Sequence, residues 1–180
     1  YDGGLIYLDD IDITGASSAS GISVRSSHVE LRNSNIHDIT GYNGLYLRGE
    51  TEFVVENSTF SGIAREPVLL GEYHWSDTNW NTDVSEPIPA RLRMVNSTIN
   101  NTGGTCDSDT VYDGDFICPS IHIYMASATL WDNTIDESGG DAIRVTGGMV
   151  DARRNTASAG EFGVRISSYD TKYNLGSRTF

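Results

Sequence analysis

Lysine is almost missing from this chain, because Lys172 is the only one among 180 residues. Lysine and arginine together number 12 against 25 aspartates and glutamates, which gives a formal net charge of −13. Nucleic acids and anionic membrane surfaces attract clustered cations. The composition therefore argues against both classes of partner.

The 180-residue sequence has no long apolar run, and no stretch of it has the pattern expected of an N-terminal leader. No stretch has the length of a membrane-spanning helix, so no membrane span is expected. The chain begins at Tyr1 rather than at a methionine. We therefore expect a mature product or an excised piece of a longer protein.

Cysteine occurs only twice, as Cys106 and Cys118, on either side of an acidic loop. An even number of cysteines in a chain rich in serine, threonine and asparagine favours one disulfide and an oxidising compartment. Two free thiols are the alternative. A zinc site is not expected, because neither cysteine has a close cysteine or histidine partner.

Helical periodicity is absent, and one other pattern recurs along the chain. Two apolar residues alternate with polar ones, an Asn or Asp follows, and a further apolar residue comes three positions later, as in 29–36. Alternation with a period of two indicates β-strands. The polar position recurs as Asp10, Asn33, Asn57, Asn96 and Asp132, with Arg154 in a degenerate last copy.

These recurring positions are separated by 23, 24, 39, 36 and 22 residues. Each copy is followed by a second alternating run, such as Leu45/Leu47. So short a unit cannot bury its own apolar face, whereas stacked copies can. We therefore predict an all-β solenoid in which Asn and Asp adopt left-handed turns and hydrogen-bond between copies. An antiparallel sandwich would not explain why Asn or Asp returns at the same position of each copy of the repeat.

These polar positions, with the small residues that open the next strand, such as Gly21 and Gly44, resemble the pectate-lyase-like parallel β-helix. The resemblance covers the chain and implies one domain, 1–180, a single-stranded right-handed parallel β-helix of about six coils. Such a rod is only about 25–30 Å long. Neither terminus shows a capping helix, so we expect the ends to be continued by more chain or covered by another subunit.

Two long loop insertions interrupt the repeat, at about 71–91 and 103–120. The first contains Tyr73, Trp75 and Trp80, whose rings are candidates for stacking on sugars or anchoring a protein partner. Alternatively, these rings cover the flank of the rod. The second contains four aspartates with the oxygen ligands and short spacing that calcium requires, or else a solvated acidic loop. These are Asp107, Asp109, Asp113 and Asp115. No other cofactor is expected.

The second alternating run also predicts which side chains face outward. If Ile121 and Ile143 face the core, their neighbours lie on an exposed strand face. The candidate site residues on this face are Arg25, Arg48, His122, Tyr124, Arg144 and Arg165.

Polysaccharide lyases and epimerases that resemble this fold bind uronate chains on the equivalent face. The resemblance implies His122 or Tyr124 as the proton-transfer group and Arg144 and Arg48 as carboxylate clamps. Arg25 and Arg165 would be further ligand contacts. A glycosidase would need two facing carboxylates, and the strands carry none. The plainer alternative is a set of ordinary outward positions whose arginines pair with loop acids.

Three N-glycosylation sequons begin at Asn57, Asn96 and Asn100. The first two are turn positions whose side chains should be occupied, so Asn100 is the favoured glycan site. The sequons fit a secreted glycoprotein.

Taken together, the sequence favours an extracellular or cell-surface structural or adhesive module without catalysis, such as a subunit of a surface layer or filament. Its expected partners are a polysaccharide or other surface proteins, with end-to-end or lateral self-association. The alternative is a carbohydrate-active protein, either lyase- or epimerase-like or a binding module, that acts on acidic polysaccharide. A viral or phage surface fibre, which shares the fold, is a third class.

Overall fold

The computed structural model describes residues 5–25, 27–71, 90–102, 105–106, 116–124, 126–160 and 162–167. These residues contain strands and no helix, and hence no helix that could cross a membrane. They form three parallel sheets of six strands each and one antiparallel pair. The all-β prediction is confirmed, and the three parallel sheets fit a β-helix-like solenoid. Most of both predicted insertions lies outside the described residues.

The three parallel sheets, which we call A, B and C, take successive strands of the chain in turn. Sheet A contains β1 (Leu5–Asp9), β4 (His28–Arg32), β7 (Glu52–Glu56), β10 (Arg91–Val95), β15 (Ser127–Trp131) and β18 (Met149–Arg153). Sheet B contains β2 (Asp12–Thr14), β5 (Asn35–Ile39), β8 (Thr59–Ile63), β11 (Thr98–Thr102), β16 (Thr134–Ser138) and β19 (Thr156–Ala159). Sheet C contains β3 (Ile22–Arg25), β6 (Leu45–Arg48), β9 (Val68–Leu70), β14 (Ile121–Tyr124), β17 (Ile143–Thr146) and β20 (Val164–Ser167).

We call three consecutive strands, one from each sheet, a rung; β1–β3 form the first and β18–β20 the sixth. The fourth rung consists of β10, β11 and β14. The antiparallel pair β12 (Thr105–Cys106) and β13 (Phe116–Ile117) lies between β11 and β14 in the chain. The right-handed winding stays a prediction that rests on the usual hand of parallel crossovers.

The core lies between the three sheets and consists of apolar columns stacked in register. Val29 pairs with Phe53 in sheet A, and Ile36 pairs with Phe60 in sheet B. All four side chains are buried. Each rung therefore covers the apolar side chains of its neighbours. This burial stabilises the fold by about 25 cal/mol for each Å² of apolar surface removed from water.

The turn from sheet A to sheet B contains a residue with left-handed backbone in every rung. Its φ ranges from 48° at Asn33 to 57° at Asp132. The residues at this position are Asp10, Asn33, Asn57, Asn96, Asp132 and Arg154. Asn and Asp take up this conformation more readily than most residues. The position also stacks from rung to rung, so its side chains form an outer ladder along one edge of the rod.

The outer ladder is held by side-chain hydrogen bonds between rungs. Asn57 Nδ2 donates to Asn33 Oδ1 at 3.3 Å, and Asn96 Nδ2 donates to Asn57 Oδ1 at 2.7 Å. In the first two rungs, however, Asn33 Nδ2 donates to Asp9 Oδ1 at 2.8 Å, so the neighbour of Asp10 accepts this bond. The first two sequons, at Asn57 and Asn96, therefore have side chains engaged in this ladder.

A second, inner ladder follows immediately in the sequence and is buried. The backbone N–H of Ser34 donates to Ser58 Oγ at 3.2 Å, and the N–H of Ser58 donates to Ser97 Oγ at 3.1 Å. Asn133 Oδ1 accepts the next bond, from the N–H of Ser97 at 3.0 Å. Each hydroxyl satisfies a backbone donor that the turn would otherwise leave buried and unpaired.

We expect Ser58→Ala to destabilise the fold by about 1–3 kcal/mol, because the buried N–H of Ser34 loses its acceptor. Urea unfolding followed by circular dichroism measures the difference. Ser61→Ala, a half-exposed serine in the same rung, is the matched control and should change stability by less than about 0.5 kcal/mol. Equal losses for the two variants would contradict the role given to the inner ladder.

Candidate functional site

The outward side of sheet C brings several predicted site residues together on adjacent strands. His122 pairs in register with Leu69 on one side and Arg144 on the other, and Arg144 pairs with Arg165. The sequence analysis placed this column on an exposed face. In the structure Leu69, His122 and Arg144 are only 7%, 1% and 5% exposed, so the middle of the face is closed to solvent.

Two carboxylates explain how these polar side chains are accommodated. Glu66 and Asp141 are buried and lie two residues before β9 and β17. Asn43 occupies the same place before β6. Sequence reasoning missed both acids because it examined the strands alone. Their shared offset from the second alternating run is the signal that could have identified them.

The turns that carry Asn43 and Glu66 lie close together in neighbouring rungs and are connected by backbone hydrogen bonds. The N–H of Leu45 donates to the Pro67 carbonyl at 2.8 Å. A Cβ at Gly44 would lie 2.6 Å from that same oxygen, so glycine is required by close approach. The stacking of these turns fixes the position of Glu66 relative to Asn43.

Glu66 is held by partners from the rungs on either side. Asn43 Nδ2 donates to Glu66 Oε2 at 2.8 Å, and His122 Nδ1 lies 3.6 Å from Glu66 Oε1. Burial alone would raise the pKa of Glu66, but His122, a backbone hydrogen bond and Asn43 together leave that pKa below its ordinary value. Glu66 is therefore a carboxylate at neutral pH.

His122 is also enclosed on its other sides. Its Nε2 lies 3.5 Å from Thr146 Oγ1. The ring meets the Tyr124 ring edge-on, with 6.2 Å between centroids. A histidine oriented by a carboxylate has the chemistry of a general base, but this one is almost inaccessible. A polymeric substrate cannot reach it in the conformation seen.

Asp141 forms a second buried ionic group one rung further on. Arg144 Nε donates to Asp141 Oδ2 at 2.7 Å, and Arg165 Nε lies 3.1 Å from the same oxygen. Asp141 Oδ1 has no hydrogen-bond partner in the described part of the chain. A buried ion pair of this kind contributes little net stability, because desolvation offsets the attraction. Its Oδ2, which lies close to both Nε atoms, nevertheless connects the fifth rung to the sixth.

The remaining predicted arginines are placed beside aromatic rings or at the margin. The guanidinium of Arg48 lies 4.6 Å from the centroid of the Tyr46 ring, and that of Arg165 lies 4.4 Å from Phe162. Arg25 is exposed in the first rung. These arginines are therefore spread over several rungs and do not converge on one point.

The loop candidates are described only in part. Tyr73, Trp75 and Trp80 lie outside the described residues, as do the four aspartates of the calcium hypothesis. Within the described residues no group of three His, Cys, Asp or Glu side chains could hold a metal.

The cysteine and glycan predictions remain open. Cys106 pairs with Phe116 across β12 and β13, and Cys118, which is buried, follows β13 directly. Their disulfide stays a prediction. Asn100 is half-exposed on β11, in register with Ser61 and Asp136, and its glycosylation also stays a prediction.

A cavity of about 610 Å³ is found elsewhere, along the beginnings of four sheet A strands, from Glu52 to Asp151. It extends to Ile166 in the sixth rung and does not include His122 or the two buried carboxylates. The polar cluster of sheet C is therefore separate from this cavity.

No protein-family model, no curated protein and no solved structure matches this chain. What the protein does has to be inferred from its own residues and their geometry.

We expect His122 and Glu66 to be energetically coupled because both are buried and His122 Nδ1 lies 3.6 Å from Glu66 Oε1. His122→Gln and Glu66→Gln should each destabilise the fold by about 3 kcal/mol, since each leaves its partner buried with fewer contacts. The double variant should lose less than the sum, with a coupling of at least about 1 kcal/mol. Denaturant unfolding of the four proteins measures it.

The matched control is the exposed pair of His28 and Glu52, whose Nδ1 and Oε2 lie 3.1 Å apart. An exposed pair should give a coupling below about 0.5 kcal/mol. A coupling between His122 and Glu66 as small as in this control would contradict the buried contact.

Proposed function

We propose that this chain is a structural β-solenoid module without catalytic activity, and that it associates with other molecules through the ends of its rod. The observation that carries the proposal is the exposure of core columns at both ends. In sheet A, Ile6 of the first rung is 46% exposed, whereas Val29 beneath it is 2% exposed. In sheet C, Ile166 of the sixth rung is 54% exposed and Val145 is 2% exposed.

Exposed core columns make association favourable for two reasons. Covering apolar side chains such as Val164, which is 52% exposed, gains about 25 cal/mol per Å². Among the described residues, each outermost strand also has a neighbouring strand on one side alone, and such an edge can template another strand. Apolar side chains and backbone groups both lie along the edge of a parallel sheet. In the described residues, the outermost strands of all three sheets belong to the same two rungs, so these groups lie together at each end.

The closed face of sheet C supports the absence of catalysis. His122 and Arg144 are buried, and among the described residues they lie beside the carboxylates of Glu66 and Asp141. A site that binds a uronate chain needs its arginines open to the carboxylates of that chain. The arrangement instead satisfies these side chains internally.

The finer features of the proposal come from the sequence. They are a right-handed helix of the pectate-lyase-like type, an extracellular or cell-surface location, the disulfide and a glycan on Asn100. A single domain over residues 1–180 belongs with them. The first loop insertion, at about 71–91, would then present Trp75 and Trp80 to a polysaccharide or a surface protein.

A second candidate function is favoured by one observation. The pairing of His122 with Glu66 has the orientation of a base and its supporting carboxylate. If the residues around this pair open on binding, a lyase or epimerase acting on acidic polysaccharide becomes the better description.

We expect the purified chain to self-associate in a concentration-dependent manner, because covering the ends removes apolar surface from water. Sedimentation velocity over a hundredfold range of concentration would show a rising sedimentation coefficient. A chain that stays monomeric over the whole range would overturn the proposed association.

We expect neither the native protein nor His122→Ala to cleave or epimerise polyuronates. Ultraviolet absorbance at the wavelength of unsaturated uronates detects lyase products, and proton exchange at C5 detects epimerisation. Turnover by the native protein that disappears in His122→Ala would replace the structural proposal with the second candidate. The folding of the variant must be verified first by circular dichroism.

A further inference from the structure

We propose that the partner at each end is a second copy of this chain, stacked head to tail, so that the first rung of one copy covers the sixth rung of another. This inference rests on the proposed end association and adds its partner and its polarity. Three independent features of the two ends carry it: their charge, the column of left-handed residues, and the size of their core side chains.

The two ends differ in charge. Residues 5–25, which span the three strands of the first rung, contain Asp9, Asp10 and Asp12 against the single cation Arg25. Residues 149–167, which span the three strands of the sixth rung, contain Arg153, Arg154 and Arg165 against Asp151 and Glu161. Head-to-tail contact brings opposite charges together, whereas two first rungs would oppose each other with like charges.

The outer ladder shows how the opposite charges would meet. Within the chain, Arg154 stacks on Asp132 of the preceding rung, with Nε to Oδ1 at 2.6 Å and Nη2 to Oδ2 at 2.7 Å. If the ladder continues across the junction, the residue that follows Arg154 in this column is Asp10 of the next copy. The junction would then repeat the acid–arginine pair, with the backbone of Asp10 of the next copy about 4.8 Å along the rod from that of Arg154.

Arg154 has the capacity for this second partner. A guanidinium has five N–H donors, and the bonds to Asp132 use Nε and one hydrogen of Nη2. Its side chain is 66% exposed, so a carboxylate can approach from the open side. A neutral Asn at position 10 would preserve the turn, since Asn33, Asn57 and Asn96 have the same left-handed φ.

The core side chains of the two ends are complementary in size. In the sixth rung the core columns end at Val150 and Ala152 in sheet A and at Ala157 in sheet B, and the cavity beside sheet A extends to Ile166. The corresponding first-rung residues are Ile6, Leu8 and Ile13. In two of these three columns a large side chain of one end therefore faces an alanine of the other, which favours interdigitation over a contact of like with like.

A head-to-tail contact joins two different surfaces and leaves one of each free at the ends of the assembly. Such an interface is heterologous and generates an open filament unless the rotation closes a ring. The parallel direction of all three sheets is preserved from one copy to the next. This polarity separates the proposal from a two-fold dimer, in which equal ends meet.

Two end-blocked variants test the polarity, because each removes one surface and keeps the other. Ile6→Glu blocks the first-rung end, and Ile166→Glu blocks the sixth-rung end. Both side chains are about half exposed, so neither change buries a charge within the monomer. Tyr42→Glu, at a side chain that is 45% exposed in the second rung and therefore outside both terminal rungs, is the matched control. Circular dichroism must show that all three variants fold.

By sedimentation velocity, each blocked variant alone should remain monomeric, at concentrations where the native chain and Tyr42→Glu assemble. An equimolar mixture of the two blocked variants should form a one-to-one dimer and nothing longer. A blocked variant that dimerises by itself, or a mixture that stays monomeric while the native chain assembles, would overturn the head-to-tail contact but leave end association intact. A native chain that never assembles would overturn both.

The ladder contact has its own variant. Asp10→Asn should weaken assembly about threefold to tenfold and reduce its dependence on salt, because one charge pair is lost at each junction. Glu50→Gln makes the same charge change at an exposed residue of the second rung and should leave assembly unchanged. Equal effects of the two variants would show that net charge matters and would overturn the pairing of Asp10 with Arg154.

Discussion

The constraint on which the rest of the structure depends is the stacking of equivalent turns, one rung upon the next. A left-handed residue bends the chain from sheet A to sheet B in every rung, and the polar residue after it accepts or donates bonds between rungs. Because the turn repeats at one place, the strands that follow fall into register. The apolar columns, with Phe53 and Phe60 at their centre, are a consequence of that register.

The same stacking determines what sheet C can do. Glu66 and Asp141 enter at the same offset before their strands and are therefore carried beneath His122 and Arg144. Burial of these groups requires that each has a partner. The partners of Glu66 come from the rungs on either side, and those of Asp141 from its own rung and the next one. The side chains that suggested catalysis thus help to connect the third, fourth and fifth rungs, and their access to solvent is lost in the process. A buried polar network of this kind is a means of fixing one arrangement rather than a large source of stability.

Much of the fold could be predicted from the sequence because the repeat is local. Alternation of apolar residues gave the strands, and the return of Asn or Asp marked the turn, where Asn33 and Asn57 have positive φ. Burial on the outer side of a sheet is different, because it depends on what covers the strand and not on the strand's own pattern. His122 was therefore expected to be exposed and is 1% exposed. The inner ladder was also missed, since Ser34 and Ser58 have no distinctive sequence signal beyond their position after the turn residue.

Repetition also implies that the two ends differ from the middle, since a terminal rung has a neighbour on one side alone. Hydrogen exchange resolved by residue tests this account most directly. In dilute solution, amides of β7 and β10 should exchange slowly, and those of β1 and β20 should exchange much faster. At concentrations where the chain assembles, protection should rise at both terminal rungs together and stay unchanged in the middle. Fast exchange in β10, or terminal rungs whose protection does not depend on concentration, would contradict a stacked solenoid that associates through its ends.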